Sequence, residues 1–299
     1  MARMNWDDIK FFLEVARTER LSEASKRLNV DASTVSRRLY KLERKLNAQL
    51  FERSTDGHIM TEHGQVLLEA AKQMERQVQI ASEILQGQNL REHGNVRLGS
   101  TEAFGSFFLT PKLASFAQKN PNITVELLPL PRFLKLTKLE ADLTISIERP
   151  PHTSLIVSKL CDYRLKMYAT RNYIKQCPAI KNLTDLRQHP LISYVRNLVW
   201  SEELNYLDRI LPEVTPRYSS TSVVAQYMAT LEGLGPSILP CFLARHSENL
   251  VPILEDDIDI VRTFWLISHP DRKRLARVDK VWNFLKEIAA ENRKMFMGG

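Results

Sequence analysis

Cysteine is scarce in this sequence, and its three cysteines, Cys161, Cys177 and Cys241, are odd in number and far apart. They form no Cys-X-X-Cys pair, and none lies beside a cluster of histidines. This spacing argues against a disulfide framework and against a zinc site. We therefore expect reduced thiols in a cytosolic protein.

Long apolar runs are also missing, so the sequence predicts neither a signal peptide nor a transmembrane helix and indicates a soluble, cytoplasmic protein. The patterns of a nucleophile elbow, a phosphate-binding loop and a dinucleotide-binding loop are absent too. The segment 231–237 contains two glycines but lacks the third glycine of a dinucleotide-binding loop. We predict no catalytic residue, no metal and no cofactor, which argues against an enzyme.

What is present suits a globular protein of about two domains, since 43% of the 299 residues are hydrophobic and 26% are charged. The net charge of +7 and the sequence pI of about 9.3 favour a polyanionic partner. Total charge does not locate the binding surface. A local cluster does: residues 26–53 carry eight Lys and Arg against three Asp and Glu.

That cluster lies in residues 21–53, which the pattern predicts to be two helices joined by a tight turn. Ser22 and Asp31 are the expected N-caps of the two helices. The second helix has one apolar stripe, because its apolar residues recur at spacings of four, three and four: Val35, Leu39, Leu42 and Leu46.

The opposite face of the second helix carries short polar side chains first and cations afterwards, an order that suits insertion into the DNA major groove. A basic helix that merely keeps a surface solvated is the alternative. The form of the preceding helix, with the small Ala24 at the expected crossing point, favours DNA binding. The predicted DNA-binding residues are Ser22, Ala32, Ser33, Thr34, Ser36, Arg37, Arg38, Lys41 and Arg53.

Residues 6–64 resemble the N-terminal winged helix-turn-helix of the LysR-type transcriptional regulators. The matching stretches are ASKRL, VSRRLYKLERKLN, LFER and MTEHG. Family members usually have Gln, often followed by Pro, where this chain has Ala32 and Ser33. Ala32 lacks the amide that makes a bidentate contact with adenine, so base readout at this position is shifted or weaker.

Around this module the pattern predicts a supporting helix and a wing. Asn5 is the expected cap of a first helix whose inward residues are Ile9, Phe12, Leu13 and Ala16. Asn47 is expected to end the second basic helix. A short strand that starts at residues 50–51 and a return strand at residues 58–60, joined by a turn at residues 55–57, form the wing, with Arg53 and His58 near its tip.

A long helix without proline is predicted from Thr61 to about Gln88. Its apolar residues repeat as a heptad, which indicates a coiled coil that pairs two DNA-binding modules across an interrupted palindrome. The resemblance implies the same dimer and, commonly, a homotetramer. The seam residues are Leu67, Ala71, Met74, Val78, Ala81 and Leu85.

After a polar hinge at residues 86–94, short strand patterns alternate with helical ones, which predicts an open α/β sheet. The stretches GNVRLGST, LEADLTISI and LEGLGPSILP resemble the regulatory domain of the same family. That resemblance implies two α/β lobes, similar to periplasmic binding proteins, around an effector cleft. The predicted domains are 1–61 for DNA binding, 62–89 for the linker helix and 90–299 for effector binding, with lobe I at about 94–161 and 266–299 and lobe II at about 162–265.

Ligands in such sheets bind beyond the carboxyl ends of strands, where helix N-termini favour negative charge. Two hydroxyl clusters occupy such positions, and a small carboxylate-bearing effector is the simplest expectation; plain helix caps are the alternative. The carboxylate of Glu102 would repel a purely anionic ligand and would attract an amine. The candidate effector-binding residues are Ser100, Thr101, Glu102, Ser146, Glu148, Tyr194, Arg196, Ser220, Thr221 and Ser222.

One rival function uses the same scaffold, namely a redox sensor in which a cysteine forms a low-pKa thiolate beside cations. Asp162 follows Cys161 and opposes this, and Cys241 lies in an apolar run. Cys177, with Lys175 nearby, is the least unfavourable candidate, and buried inert thiols are the preferred interpretation.

Overall fold

The structure is a computed structural model that describes residues 5–54, 57–85, 92–130, 141–151, 154–199 and 201–299. Its contacts divide the chain into two compact units, Met1–Gly87 and Gln88–Gly299. None of the helices in these described ranges combines the length and the apolarity needed to cross a membrane.

The first unit is helical apart from one hairpin. Asn5 caps the first helix by accepting a hydrogen bond from the Asp7 amide (3.2 Å), and Asn47 ends the third in a left-handed conformation, as predicted. The turn residues 55–56 lie outside the described residues. The elements are α1 (Trp6–Thr18), α2 (Leu21–Leu28), α3 (Ala32–Leu46), β1 (Phe51–Ser54), β2 (Gly57–Met60) and α4 (Glu62–Leu85).

Two details of the predicted helices are wrong. Ser22 does not cap α2, because that helix already begins at Leu21 after an extended Arg20, and Ser22 lies exposed within the first turn. Leu46 is 37% exposed because α3 ends at this residue, beyond its contact with the core. The remaining apolar stripe of α3 is buried as predicted, at Val35, Leu39 and Leu42.

The hairpin is fixed to the helices at both ends of β1 and β2. The Glu43 carboxylate accepts hydrogen bonds from the amides of Leu50 (2.8 Å) and Phe51 (3.3 Å). At Gly57 the backbone has φ of +144°, and a Cβ would lie 2.5 Å from the Glu19 carbonyl oxygen. This close approach requires glycine and holds the wing against the turn between α1 and α2.

The heptad seam of α4 is split in the structure. Ala71 is fully buried and Leu67 packs against the same hydrophobic core as α1 and α3. An ion pair between Arg17 and Glu75 also ties α4 to α1. The prediction that Leu67 and Ala71 face a partner helix is therefore wrong, because the first turns of α4 complete the core of their own unit.

The second unit is built on a mixed sheet, within which the described residues form nine strands in the order β4-β3-β5-β11-β6-β9-β7-β8, with β10 also paired to β6. Parallel pairing joins β3 to β4 and β5, and joins β7 to β8 and β9. The strands are β3 (Gly94–Thr101), β4 (Ile123–Leu130), β5 (Leu143–Ser146), β6 (Ile156–Thr170), β7 (Ile192–Ser193), β8 (Tyr218–Ser219), β9 (Ser237–Pro240), β10 (Leu250–Ile253) and β11 (Ile260–Ser268).

The two parallel groups are the cores of two lobes, and the long antiparallel pair β6–β11 connects them. The sequence pattern predicts two strands, at residues 155–160 and 165–169, where the structure has the single strand β6. The strand continues because the intervening residues keep the alternation of a half-buried strand: Cys161 and Tyr163 are buried, while Asp162 and Arg164 are partly exposed. The register of β11 shifts between Phe264 and Trp265, opposite Cys161.

Helices flank the sheet. The sequence pattern predicts a helix at residues 104–119, where the structure has a π-helical stretch, Phe104–Leu109, followed by α5. It also predicts a final helix from about Arg272 to Ala290, which in the structure is broken at Arg274 and Leu275. The helices are α5 (Thr110–Lys119), α6 (Arg171–Gln176), α7 (Tyr206–Ile210), α8 (Val223–Leu231), α9 (Cys241–Ala244), α10 (Pro270–Lys273), α11 (Ala276–Glu291) and α12 (Arg293–Phe296).

Residues 86–91 of the predicted hinge lie outside the described residues, whereas its end is held by the second unit. Glu92 forms an ion pair with Lys280, and the Gly94 amide donates to the Asn122 carbonyl oxygen (2.8 Å). These contacts fix the start of β3 beside α11 and β4.

Candidate functional site

The exposed face of α3 is the first candidate site. Val35, Leu39 and Leu42 are buried on one side of α3. Because of the helical period, residues on the other side point outward, beginning with Ser33 and Arg37. Tyr40, which the sequence analysis did not select, is 63% exposed on this face. Polar and aromatic groups that can meet bases and phosphates thus share one surface: Ser33, Arg37, Tyr40, Lys41 and Arg44.

At the start of α3, Asp31 organises two of the predicted base readers. Its carboxylate accepts hydrogen bonds from the Ser33 hydroxyl, from the Thr34 amide (2.7 Å) and from the Thr34 hydroxyl (2.9 Å). The Ser33 bond first, and then the two from Thr34, lower the pKa of Asp31 to about 2. Both hydroxyl protons point at this carboxylate, so outward contacts made without breaking these bonds use hydroxyl oxygens as acceptors.

Arg38 has a different position from the one predicted. It donates to Asp8 (3.0 Å), as does Lys45 (3.1 Å), and Asp8 is fully buried on the inward face of α1. Burial alone would raise the pKa of Asp8, but the hydrogen bonds from Arg38 and Lys45 outweigh it and hold that pKa below its ordinary value. Arg38 also lies over the Phe11 ring, at 5.5 Å from the centroid.

The other predicted DNA-binding residues are exposed or only partly buried where their side chains are described. Ala32 and Lys41 are exposed, as is Ser22, and Ser36 is half-buried. The Arg53 side chain lies outside the described residues, although its backbone pairs with His58 in the hairpin. The His58 ring packs edge-on against Phe51, with 6.1 Å between the ring centroids.

An apolar strip on the second half of α4 is left uncovered by the described residues. Met74 is 42% exposed, Val78 53% and Leu85 86%, and Ala81 between them is exposed as well. These four residues keep the spacing of four, three and four. They are the part of the predicted seam that is available to a second copy.

The second candidate site is a cavity of about 50 Å³ in the second unit. It lies beyond the carboxyl ends of β3, β5, β7 and β8, as expected for a ligand site in an α/β sheet. Residues at the end of those strands or just after it line the cavity: Thr101, Ile147, Tyr194 and Thr221. The lining therefore combines residues from both parallel groups of strands.

Four of the predicted effector-binding residues line this cavity, namely Thr101, Glu102, Tyr194 and Thr221. Ser222 stands directly behind them, because its hydroxyl donates to Glu102 Oε1 (3.0 Å). Ser222 also caps α8 by accepting from the Ala225 amide (3.0 Å), so its cap role is confirmed. The second oxygen, Glu102 Oε2, is buried and has no hydrogen-bond partner among the described residues.

Two predicted hydroxyls make local hydrogen bonds instead, and a third makes none among the described residues. The Ser146 hydroxyl accepts from the Glu148 amide (2.9 Å), and the Ser220 hydroxyl accepts from the Ser222 amide (3.1 Å). Ser100 is buried, its hydroxyl has no partner among the described residues, and it caps no helix. Neither Ser146 nor Glu148 is part of the cavity lining.

Arg196 was predicted to hold an effector carboxylate, and the structure contradicts this position. Its guanidinium donates to both carboxylate oxygens of Asp208, from Nη2 at 2.6 Å and from Nε at 2.9 and 3.2 Å. It also donates to the Val214 carbonyl oxygen and is absent from the cavity lining. Asp208 lies twelve residues after Arg196 in the sequence, and the pattern of residues at strand ends did not predict this ion pair.

Sequence reasoning missed most of the cavity wall, which is aromatic and aliphatic. Tyr163 and Phe264 are stacked with 4.2 Å between ring centroids, and Tyr206 lies near Tyr194 at 6.4 Å. The alternation along β6 was the available indication for Tyr163. The additional lining residues are Ala103, Ile147, Tyr163, Leu165, Leu204, Tyr206, Val223, Ile238, Pro240, Phe242 and Phe264.

The surroundings of Cys161 and Cys241 disfavour the reactive thiolate that a redox sensor needs. Burial raises the pKa of Cys161 to about 12, with Asp162 adding to the shift, and burial also raises the pKa of Cys241. A raised pKa disfavours the reactive thiolate. Cys177 is half-buried and unpaired with another cysteine. In the described part of the chain, no three His, Cys, Asp or Glu residues come together as a metal site.

Comparison with known protein families gives two matches. The model described as "Bacterial regulatory helix-turn-helix protein, lysR family" matches residues 6–65, and the "LysR substrate binding domain" matches residues 90–290. The first covers α1 to α3 and the wing of the first unit and ends at the start of α4. The second covers the sheet and cavity of the second.

Curated relatives align along most of the chain. The transcriptional regulator PtxR of Pseudomonas aeruginosa is 27% identical over 243 residues, covering 80% of this chain and 78% of that protein. The Mau operon transcriptional activator of Paracoccus denitrificans is 24% identical, covering 96% and 98%. A glycine cleavage system transcriptional activator homolog of Haemophilus influenzae is 28% identical, covering 89% and 88%.

Solved structures share the fold. CrgA, a LysR-type transcriptional regulator from Neisseria meningitidis, aligns with a TM-score of 0.59 and 21% identity, covering 96% of this chain and 99% of that one. Full-length CbnR in complex with its target DNA aligns with a TM-score of 0.60 and 20% identity, covering 95% and 100%.

Proposed function

This chain belongs to the LysR family of bacterial transcriptional regulators, and from that premise we propose that it reads a specific operator with α3 and responds to a small effector in its regulatory unit. The observation that carries the first half is the exposed face of α3, where Ser33, Arg37 and Tyr40 lie opposite a fully buried apolar stripe. A helix presented in this way can enter the major groove with its base-reading residues first.

We assign different tasks to the cations of α3. Arg37, with Ser33, Thr34 and Ser36, reads or abuts base edges, while Lys41 and Arg53 contact phosphates. Arg38 donates a hydrogen bond to Asp8, so its main task is to fix the angle between α3 and α1, and contact with DNA is secondary. A positively charged helix face with this order of groups gives affinity through phosphates and specificity through bases.

Two copies pair through the uncovered strip of α4, and a homotetramer of two such pairs is the expected assembly. Met74, Val78, Ala81 and Leu85 are exposed apolar or small residues in heptad register, which is the pattern of a two-stranded seam. A two-fold pair of modules reads an interrupted palindrome. Such a regulator works in the cytoplasm, where its DNA is.

The effector site is the cavity at the strand ends. Its volume of about 50 Å³ accommodates only a few water-sized molecules, whereas small-molecule sites usually occupy some 300–1,000 Å³. An effector of several heavy atoms therefore has to separate the residues of the two lobes that line it. That change in lobe angle alters the spacing of the DNA-binding modules in the oligomer.

The charge of the cavity lining bears on the class of effector. The expectation of a carboxylate rests on helix N-termini at the strand ends. Within the described residues the cavity lining contains one charged side chain, the carboxylate of Glu102, and Arg196 is held by Asp208 outside the lining. These contacts disfavour a purely anionic effector.

DNA binding is the first measurement. We would titrate the purified chain onto the DNA upstream of its own gene, at two salt concentrations and with nonspecific competitor. Saturable binding that survives competitor is the expected result. Binding that disappears with competitor on this fragment, and that finds no preferred sequence in a selection from random DNA, would contradict a sequence-specific regulator.

A further inference from the structure

We propose that the effector of this regulator carries a positively charged hydrogen-bond donor, such as a protonated amine, and that the Glu102 carboxylate receives it. The proposal rests on the effector role of the cavity and goes beyond it by naming the charge of the ligand. It replaces the expectation of a purely anionic effector.

Only one of the two oxygens of the Glu102 carboxylate has a hydrogen-bond partner among the described residues. Oε1 accepts the hydroxyl of Ser222 at 3.0 Å, which orients the carboxylate, while Oε2 is buried and has no partner among the described residues. A buried acceptor without a partner is costly, and more so when it is charged. An ammonium group that enters the cavity supplies both the missing donor and the missing countercharge.

The described cavity lining contains no cation that could do this instead. None of its residues is Lys, Arg or His. The nearest candidate from sequence, Arg196, makes a bidentate pair with Asp208. A carboxylate entering alone would therefore meet the charge of Glu102 without a neutralising partner, and two carboxylates that share a site repel each other.

Aromatic rings form much of the rest of the wall. Tyr163, Tyr194, Tyr206 and Phe264 all line the cavity, and ring faces attract ammonium and related cations. Burial raises the pKa of Tyr194 well above its ordinary value, and neighbouring Tyr206 and Glu102 add to the shift, so its hydroxyl stays neutral. Neutral phenols and one carboxylate make a wall with a net negative charge.

The size and walls of the cavity also limit the remainder of the ligand. Apart from Glu102 and the hydroxyls of Thr101 and Thr221, the lining is aromatic or aliphatic. An ammonium group on a small apolar skeleton matches these surroundings. A second polar group is compatible only if it lies near the two threonines.

Two matched series of probes test the charge preference. The full chain is titrated with straight-chain alkylamines and with straight-chain carboxylates of equal carbon count, together with 2-aminobutyrate, and binding is followed by calorimetry and thermal unfolding. We expect the amines, or the zwitterion, to bind and stabilise the protein. Preferential binding of the carboxylates, or no binding by any amine-bearing probe, would overturn the proposal.

Glu102→Gln is the decisive variant because it keeps the shape of the side chain and removes its charge. It should weaken the amine-bearing probes by roughly 10- to 100-fold, the range expected when a charged hydrogen bond is lost. Glu287→Gln, at an exposed position of α11, removes the same charge elsewhere and should leave binding unchanged. Equal binding to wild type and Glu102→Gln would contradict the assignment of Glu102.

Stability without a ligand separates a binding residue from a structural one. If Glu102 is kept for an incoming cation, Glu102→Gln should unfold at the same or a higher temperature than wild type. A lower unfolding temperature, absent in Glu287→Gln, would show a structural role and overturn the proposal. Operator binding is measured on the same preparations. If the protein binds its operator but binds none of the amines, the result contradicts this inference and leaves the DNA-binding function standing.

Discussion

The two units of this regulator place their candidate functional residues in opposite ways. In the helical unit, most of those candidates follow one another along α3 and α4 and lie on exposed faces. In the regulatory unit, the cavity lining is drawn from residues 101 to 264, and most of it is buried. A surface built from one helix can change without disturbing the core, whereas a cavity wall is itself part of the core.

The clearest way to sharpen this comparison is a charge on the uncovered strip of α4. Val78→Asp should weaken self-association by at least about 2–6 kcal/mol per dimer, because two-fold symmetry buries two carboxylates and burying even an uncharged polar group costs about 1–3 kcal/mol. Val78 is half exposed, so the fold of the unit should persist. Sedimentation velocity over a range of concentrations measures the change.

Val66→Asp is the matched control, since Val66 is 75% exposed on the same helix but outside the heptad seam. It should leave the oligomer unchanged. Equal effects of the two substitutions would mean that α4 associates through another face, and unchanged association in Val78→Asp would remove the seam from the proposal.

The second expected effect concerns neighbouring cations on α3. Arg37→Ala should cost about 1–3 kcal/mol in operator binding and flatten the preference between sites, because a base contact is lost. Lys41→Ala should weaken all DNA alike and lower the salt slope by about one. Fluorescence anisotropy on operator and scrambled duplexes at several salt concentrations distinguishes the two.

Lys175→Ala removes one positive charge from an exposed position on α6 and controls for net charge. Uniform weakening by both Arg37→Ala and Lys41→Ala would show that Arg37 contacts phosphate and not a base.

The smallest expected effect is at Asp8. This residue is an exception to the contrast between the two units, because a buried carboxylate in the helical unit supports the exposed face of α3. Asp8→Asn should lower the free energy of unfolding by about 1–2 kcal/mol at neutral pH, because the charged hydrogen bonds from Arg38 and Lys45 weaken. Denaturant unfolding followed by circular dichroism measures this difference. Asp7→Asn, at the exposed neighbouring position, should change stability less.

The difference between wild type and Asp8→Asn should also depend on pH. The pKa of Asp8 is held below its ordinary value of 3.8 in the folded protein, so its stabilisation is complete above that pH and disappears as pH falls through the folded pKa. A difference that stays constant down to pH values well below 3.8 would show that the charge of Asp8 is not what stabilises the unit.

The same contrast explains how far the sequence could be interpreted. The caps at Asn5, Asp31 and Asn47 and the apolar stripe of α3 were predictable, because each depends on residues within about one or two helical turns. The fold class was predictable for a similar reason, since strand and helix periods are local. Arg38, Arg196 and the two seam residues Leu67 and Ala71 were misplaced because their partners are distant in sequence or on another element.

The sequence by itself determined the helical DNA-reading module, the basic face of α3, the heptad register of α4 and the α/β character of residues 92–299. Only the tertiary structure decided which cations remain for DNA, which half of the heptad seam stays uncovered, and which strand-end residues meet around one cavity. It also left a Glu102 oxygen buried in that cavity without a partner among the described residues. Local periods follow from the geometry of a single helix or strand, whereas the partners of Asp8, Ala71 and Glu102 are set by packing between elements that the chain brings together only on folding.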